Sequence, residues 1–247
     1  MSRFFQLFLG HQTFTTHFQM FSWYHLLWLG IAVVAVIFSI NSKRSQTTER
    51  YLMYMVITSQ LLTMIWYLGG SSFLSDGLPL YTCRIAAIAF AIGYFKNSDY
   101  LKSFGTFLGF SGGIIALLHP VFFPMKIWHF CNINFFVFHV ALLSLSSYYL
   151  SHKGDEMLEQ KRRVQVSLTG LMLVITVINY IIGSNYSYAL EAPLLKNILD
   201  EFPWLLYFLL LNLAYQATIL IESKVVDSKM MNRAAAIEWK DWLKTKI

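Results

Sequence analysis

Seven stretches of this chain are apolar enough, and long enough, to cross a lipid bilayer. They read as roughly 21–41, 51–70, 78–96, 104–119, 128–150, 164–184 and 202–221, each close to the ~20 residues that a helix rising 1.5 Å per residue needs to cross. Span four is the shortest of the seven. A backbone crossing hydrocarbon must satisfy its own polar groups, so these stretches are expected to be helices. The expected fold class is all-α: a polytopic seven-transmembrane-helix bundle, N-terminus outside and C-terminus cytoplasmic.

Composition agrees. The chain is 56% hydrophobic and 13% charged, where a soluble domain carries about 25% charge. Three parts follow: an N-terminal interfacial segment, 1–20; the seven-helix transmembrane domain, 21–221; and a basic cytoplasmic tail, 222–247. The first segment is too polar and aromatic for a cleavable signal, and Phe4, Phe5, Phe8, Phe14 and Phe18 suit the headgroup zone. In the tail, Met230, Met231, Ala234, Ile237, Trp239 and Trp242 fit an amphipathic helix on the inner leaflet, or a solvated one.

The net charge of +6 follows the loops, so it is not a nucleic-acid signature. With the N-terminus outside, Lys43, Arg44, Arg50, Lys96, Lys102, Lys153, Lys161, Arg162 and Arg163 fall in cytoplasmic loops, and Lys224, Lys229, Arg233, Lys240, Lys244 and Lys246 in the tail. Only Arg3, Lys126 and Lys196 fall outside. That asymmetry sets the orientation.

Polar residues inside the spans gather towards the outer end. Cys83 and Arg84 lie about a turn and a half below the start of span three. In span five, Asn132 near the outer surface and His139 near mid-depth are seven apart and share a face. Asn179 and Gly183 share a face at the end of span six, followed by Ser184, Asn185 and Tyr186. His119 ends span four on the same side, and span seven adds Asn212 and Gln216. Structural readings stand beside each. His139 suits a hydrogen-bonded packing residue, and Cys83 a small hydrophobe or one half of a Cys83–Cys131 disulfide. The amides suit interhelical glue, and Arg84 suits snorkelling or a lipid phosphate. Gly105, Gly109 and Gly113, with Gly112 and Ala116 beside them, form a double Gly-x-x-x-Gly that admits a neighbouring helix closely.

The chemistry that uses such a set is acyl transfer. A cysteine attacks an ester as the thiolate, a histidine takes its proton, and donors such as Ser184 and Asn185 steady the oxyanion. No metal-ligand spacing falls inside a span, no Gly-rich phosphate loop is present, and no cofactor is expected. The predicted spans hold no acidic residue, since Glu191, Asp200 and Glu201 fall in the outer loop, which weighs against an ion-coupled transporter.

Two segments carry a family resemblance. One is Leu78-Pro79-Leu80-Tyr81-Thr82-Cys83-Arg84-Ile85-Ala86, followed by the glycine-rich span, Ala116-Leu117-Leu118-His119-Pro120 and Asn134-Phe135-Phe136-Val137-Phe138-His139. The other is Asn179-Tyr180-Ile181-Ile182-Gly183-Ser184-Asn185-Tyr186-Ser187-Tyr188, with Pro193, Leu199-Asp200 and Pro203-Trp204. Together, over about residues 65–221, they resemble the bacterial YwaF-type (TP0381-like) integral membrane family, related to the eukaryotic transmembrane protein 164 family. The resemblance implies a seven-span protein of a bacterial plasma membrane. It also implies a cysteine-dependent acyltransferase acting on membrane phospholipid, with Cys83 as nucleophile and His139 as its partner. Asn132, Asn179, Ser184, Asn185, Tyr186, Arg84 and His119 are the expected substrate-binding or oxyanion residues. The family often places histidine two residues before the cysteine, where this chain has Tyr81, so His119 or His139 would have to supply the base. The alternative is a non-catalytic binder: a transporter accessory subunit or lipid-binding scaffold.

Overall fold

The computed structural model describes residues 3–13, 19–193, 195–199 and 201–246, with Arg3 and residues 228–246 in backbone alone. Phe14, Phe18, Asp200 and the tail side chains from Lys229 onward therefore lie outside the described residues. Among the described residues there is no strand. The helices are α1 (Arg3–Leu9), α2 (Trp23–Asn41), α3 (Gln46–Leu68), α4 (Thr82–Phe95), α5 (Asp99–Leu118), α6 (Phe130–His152), α7 (Gly154–Ile182), α8 (Lys196–Leu199) and α9 (Trp204–Lys246). Six of them, α2, α3, α5, α6, α7 and α9, are long and apolar enough to cross a membrane. The protein is a polytopic, all-helical membrane protein.

The polar ends of the sequence elements explain the helix boundaries. Ser45 starts α3 by accepting the Thr47 N–H, and Ser98 starts α5 by accepting that of Leu101, the usual work of an N-cap serine. Gly183 ends α7 in the left-handed region, φ 65°, where a side chain would crowd the backbone.

Three boundaries differ from the sequence expectation. Helix α4 starts at Thr82 and runs for 14 residues, shorter than α5 of the expected fourth span and outside the six membrane-length helices. Pro79 holds Leu78 extended (φ −63°, ψ 149°), as the residue before a proline prefers, and Tyr81 remains extended as N-cap. Cys83 consequently lies in the first turn instead of a turn and a half down. Helix α7 begins ten residues early and takes Lys161, Arg162 and Arg163 into its first half, with Arg163 seated 4.0 Å from the centre of the Tyr100 ring. Helix α9 passes residue 221 without a break. Its apolar portion, Trp204–Asp227, thereby includes Glu222, which is buried. The expectation of spans without acidic residues is corrected on this point.

Helices α5 and α6 form the buried centre, with α2, α7 and α9 towards the periphery. Small residues set the spacing at that centre. A Cβ added at Gly105 would lie 2.8 Å from the Phe90 ring, one at Gly109 2.6 Å from Ser146 Oγ, and one at Gly113 3.0 Å from Leu143 Cβ. The glycine stripe thus meets α4 at one end and α6 at the other, as close backbone packing in lipid requires. The periphery is the reverse of a soluble protein: Val34, Phe38, Val177, Ile181, Leu213 and Ile221 are exposed. An apolar belt this broad is stable only against hydrocarbon.

Helix α1 docks onto this body. Phe4 stacks on Trp128, and Phe8 meets Phe130 edge-on. The Trp66 indole donates to the Leu9 carbonyl (2.8 Å), and His129 Nε2 lies 3.0 Å from that of Gly10. His129 also caps α6, its Nδ1 accepting the Cys131 N–H.

Candidate functional site

Cys83 is the second residue of α4, half-buried, with a free thiol. The first N–H groups of a helix have no partner within it and carry partial positive charge. Cys83 and Arg84 both fall in that first turn of α4. A helix start is therefore a place where sulfur can hold negative charge. Cys131 is buried and also free, so no disulfide joins the pair.

Helix α5 presents two adjacent glycines here. A Cβ on Gly112 would come to 3.9 Å from Cys83 Cβ, and one on Gly113 to 3.5 Å from the His139 carbonyl oxygen. The Cys83 side chain of α4 and the His139 backbone of α6 therefore lie against the same turn of α5. His139 is buried, and its Nδ1 lies 2.8 Å from the Phe135 carbonyl oxygen, one turn back. A carbonyl only accepts, so Nδ1 carries the proton and Nε2 keeps its lone pair. Phe135 and Phe138 hold the ring from two sides, with centroids at 4.3 and 4.9 Å.

Above Cys83 sits the connector that follows α7, and most of the expected polar residues are used in building it. Asn179 Nδ2 donates to the Tyr186 carbonyl, while its Oδ1 accepts from Ser184 Oγ and the Tyr186 N–H. Asn185 Oδ1 accepts from the Leu190 and Glu191 N–H groups, and its Nδ2 donates to the Glu191 carbonyl. The Tyr186 hydroxyl accepts the Leu78 N–H and donates to the Leu74 carbonyl (both 3.0 Å), and Ser187 Oγ donates to the Leu80 carbonyl. These bonds clamp the connector to the segment preceding α4. They hold Ser187 and Tyr188 at φ 54°, a left-handed conformation that costs a non-glycine residue roughly 1–2 kcal/mol.

Arg84 differs from the snorkelling expectation. It is buried, donates to the carbonyls of Asp76 (2.6 Å) and Leu78 (3.1 Å), and lies between the Tyr67 and Tyr81 rings at 5.2 and 5.1 Å. Its charge is spent on the loop and on two π-faces. Asn132 is fully buried and organises the turn before α6, bonding Phe123, Met125 and Lys126 backbone groups. His119 is the half-buried C-cap of α5 at this end of the bundle. Tyr81, in the place where the resembling family often has histidine, packs edge-on against Tyr186 at 5.1 Å.

A cavity of about 440 Å³ lies at this end, lined by Asp76, Asn179, Ser184, Asn185 and Glu191 among others. The structure thus brings Asn179, Ser184, Asn185 and Tyr186 together and leaves Asn132 to a separate turn. Residues that spacing alone had not singled out stand near Cys83. Thr82 Oγ1 lies 3.3 Å from the Tyr215 hydroxyl of α9. Tyr188 lies within electrostatic reach of the thiol, and burial pushes its hydroxyl up to about 12, so it is a neutral donor at neutral pH. The adjacency of Thr82 to Cys83 was the one available signal. No group of three or more metal-ligating side chains occurs among the described residues.

A sequence model of the TMEM164 family matches residues 14–221. No curated protein and no solved structure matches the chain.

Proposed function

The chain belongs to the TMEM164 family, and on that premise we propose that it is a membrane-embedded acyltransferase that remodels phospholipid through a thioester on Cys83. In this reading α4 is a short seventh span, the N-terminus is outside, and the site lies in the outer half of a bacterial plasma membrane. The observation that carries the reading is the α5 turn at Gly112 and Gly113, which lies against both Cys83, a thiol at a helix start, and the backbone of His139, whose Nδ1–H···O bond leaves the Nε2 lone pair as an acceptor.

The chemistry follows from those two groups. His139 Nε2 takes the Cys83 proton, and the thiolate attacks the carbonyl carbon of a phospholipid ester. The tetrahedral intermediate collapses by expelling the lysolipid alkoxide, which leaves with the proton from the imidazolium. An acceptor hydroxyl then gives its proton to Nε2, attacks the thioester and releases Cys83. Donors for the oxyanion come from the first-turn N–H groups of α4 and from Thr82 and Tyr215, instead of Asn179, Ser184 or Asn185, whose hydrogen bonds are taken by the connector.

That same commitment of the amides favours the second reading, a lipid-binding scaffold in which the polar residues serve packing. Intact-mass analysis after incubation with mixed phospholipids separates the two. The acyltransferase gives a hydroxylamine-labile acyl adduct that maps to Cys83, persists in Cys131→Ala and disappears in Cys83→Ala. A folded wild-type protein that never acquires the adduct, and turns over no lipid, rules the enzyme out.

A further inference from the structure

The connectors at the end of the bundle opposite Cys83 enclose a second cavity, of about 540 Å³. They are the α2–α3, α4–α5 and α6–α7 connectors, which supply Arg44, Asn97 and Lys153; the starts of α3 and α5 add Glu49 and Lys102. Three cationic side chains face one carboxylate. Glu49 and Lys153 offset each other, which leaves Arg44 and Lys102 as the cations facing the cavity. Both Glu49 oxygens lie 3.1 Å from Lys153 Nζ, and the carboxylate accepts the Tyr149 hydroxyl.

Lys102 is the informative residue. Its side chain is 5% exposed, although ammonium groups are rarely buried without a full set of acceptors. It donates to Asn97 Oδ1 at 2.7 Å, and Asp99, 3.6 Å away, is half-exposed. An ammonium has three donors, and that arrangement leaves it short of a close, desolvated anion. Arg44 stands at the mouth of the cavity, 60% exposed, and among the described residues pairs with the exposed Glu156. Such a surface pair is weak and exchanges readily for a better acceptor.

We propose that this cavity binds a phosphate group, with Lys102 at its base and the Arg44 guanidinium closing over it from the rim. A phosphate supplies the several charged acceptor oxygens that a buried ammonium and a planar guanidinium need. Basic pockets between helices at the membrane surface suit anionic headgroups. The site is independent of the acyl-transfer reading, since it lies at the other end of the bundle and shares no residue with it. The phosphate belongs either to an anionic lipid headgroup or to a soluble phosphate ester.

The test uses the full chain in phosphatidylcholine nanodiscs doped with phosphatidylglycerol, followed by native mass spectrometry, and thermal unfolding with glycerol 3-phosphate. Wild type is expected to retain phosphatidylglycerol over phosphatidylcholine, with Lys102→Gln lowering that preference about tenfold, the size of one lost charge-assisted hydrogen bond. Arg44→Gln, an exposed change that keeps the fold, is expected to lower it about threefold. Thermal stabilisation by glycerol 3-phosphate that is lost in the variants, without lipid preference, assigns the site to a soluble ester. Absence of both effects in wild type overturns the proposal. So does a preference that Arg44→Gln and folded Lys102→Gln leave unchanged; if Lys102→Gln does not fold, Arg44→Gln alone decides.

Discussion

Asn179 and Tyr186 exchange two hydrogen bonds across the end of α7, the amide donating to the tyrosine carbonyl and the tyrosine N–H donating back, each at 2.9 Å. Both residues are fully buried. An Asn179→Leu change leaves two buried backbone groups unpaired at about 1–3 kcal/mol each, so a loss of roughly 3 kcal/mol is expected in denaturant unfolding. Tyr186→Phe keeps that exchange and loses only the bonds to Leu74 and Leu78, for about 1–2 kcal/mol.

The glycines of α5 are expected to respond differently to the same added methyl group. Gly109→Ala drives Cβ to 2.6 Å from Ser146 Oγ and 3.0 Å from Leu142 Cδ1, an overpacking that costs about 1–3 kcal/mol. Gly112→Ala meets only Cys83 Cβ at 3.9 Å, and its gain in helix propensity is up to about 1 kcal/mol. Unfolding curves should therefore separate the two. Maleimide labelling should show slower modification of Cys83 in Gly112→Ala at unchanged stability.

Glu49→Ala is expected to be among the most damaging changes at the other end of the bundle. It strands Lys153, whose side chain is only 12% exposed, and unpairs Tyr149; breaking a buried pair from one side costs about 3–5 kcal/mol. Glu156→Ala breaks the exposed pair to Arg44 and should cost less than about 1 kcal/mol. Thermal unfolding of both variants in one detergent checks the contrast.

If His139 is the base of the proposed reaction, His139→Phe keeps the aromatic packing against Phe135 and Phe138 while removing the lone pair. Phospholipid acyl transfer should fall by roughly 10²–10⁴-fold, the usual contribution of a general base. Cys131→Ala should be silent. Turnover in His139→Phe within a few fold of wild type would remove His139 from the mechanism.

Much of the helical architecture could be read from hydropathy, because bilayer thickness imposes length and composition together. The ends of α4, α7 and α9 could not. Span three looked long because Leu78 and Leu80 are apolar, yet Pro79 and the carbonyls captured by Arg84 keep that stretch out of the helix. Span seven looked complete at 221 because Glu222 is charged, yet the helix buries it. Helical spacing correctly grouped Asn179 with Ser184, Asn185 and Tyr186 at one end of the bundle. It carried no information on partners, and the partners are backbone groups of connectors that have no periodicity. The closeness of Cys83 to Gly112 was invisible for the same reason: two helices in contact leave no shared pattern along the chain.

The 14 residues of α4 reach only about 21 Å at 1.5 Å per residue, some 9 Å less than the hydrocarbon thickness of an average bilayer. If α4 is the seventh span of the proposed reading, a helix that short would make the surrounding lipid leaflet dip towards Cys83. Acyl ester groups would then descend to the thiol without any molecule leaving the membrane. Bilayer thickness would on that reading become a rheostat: thin, short-chain membranes would relax the dimple, and thick ones would deepen it.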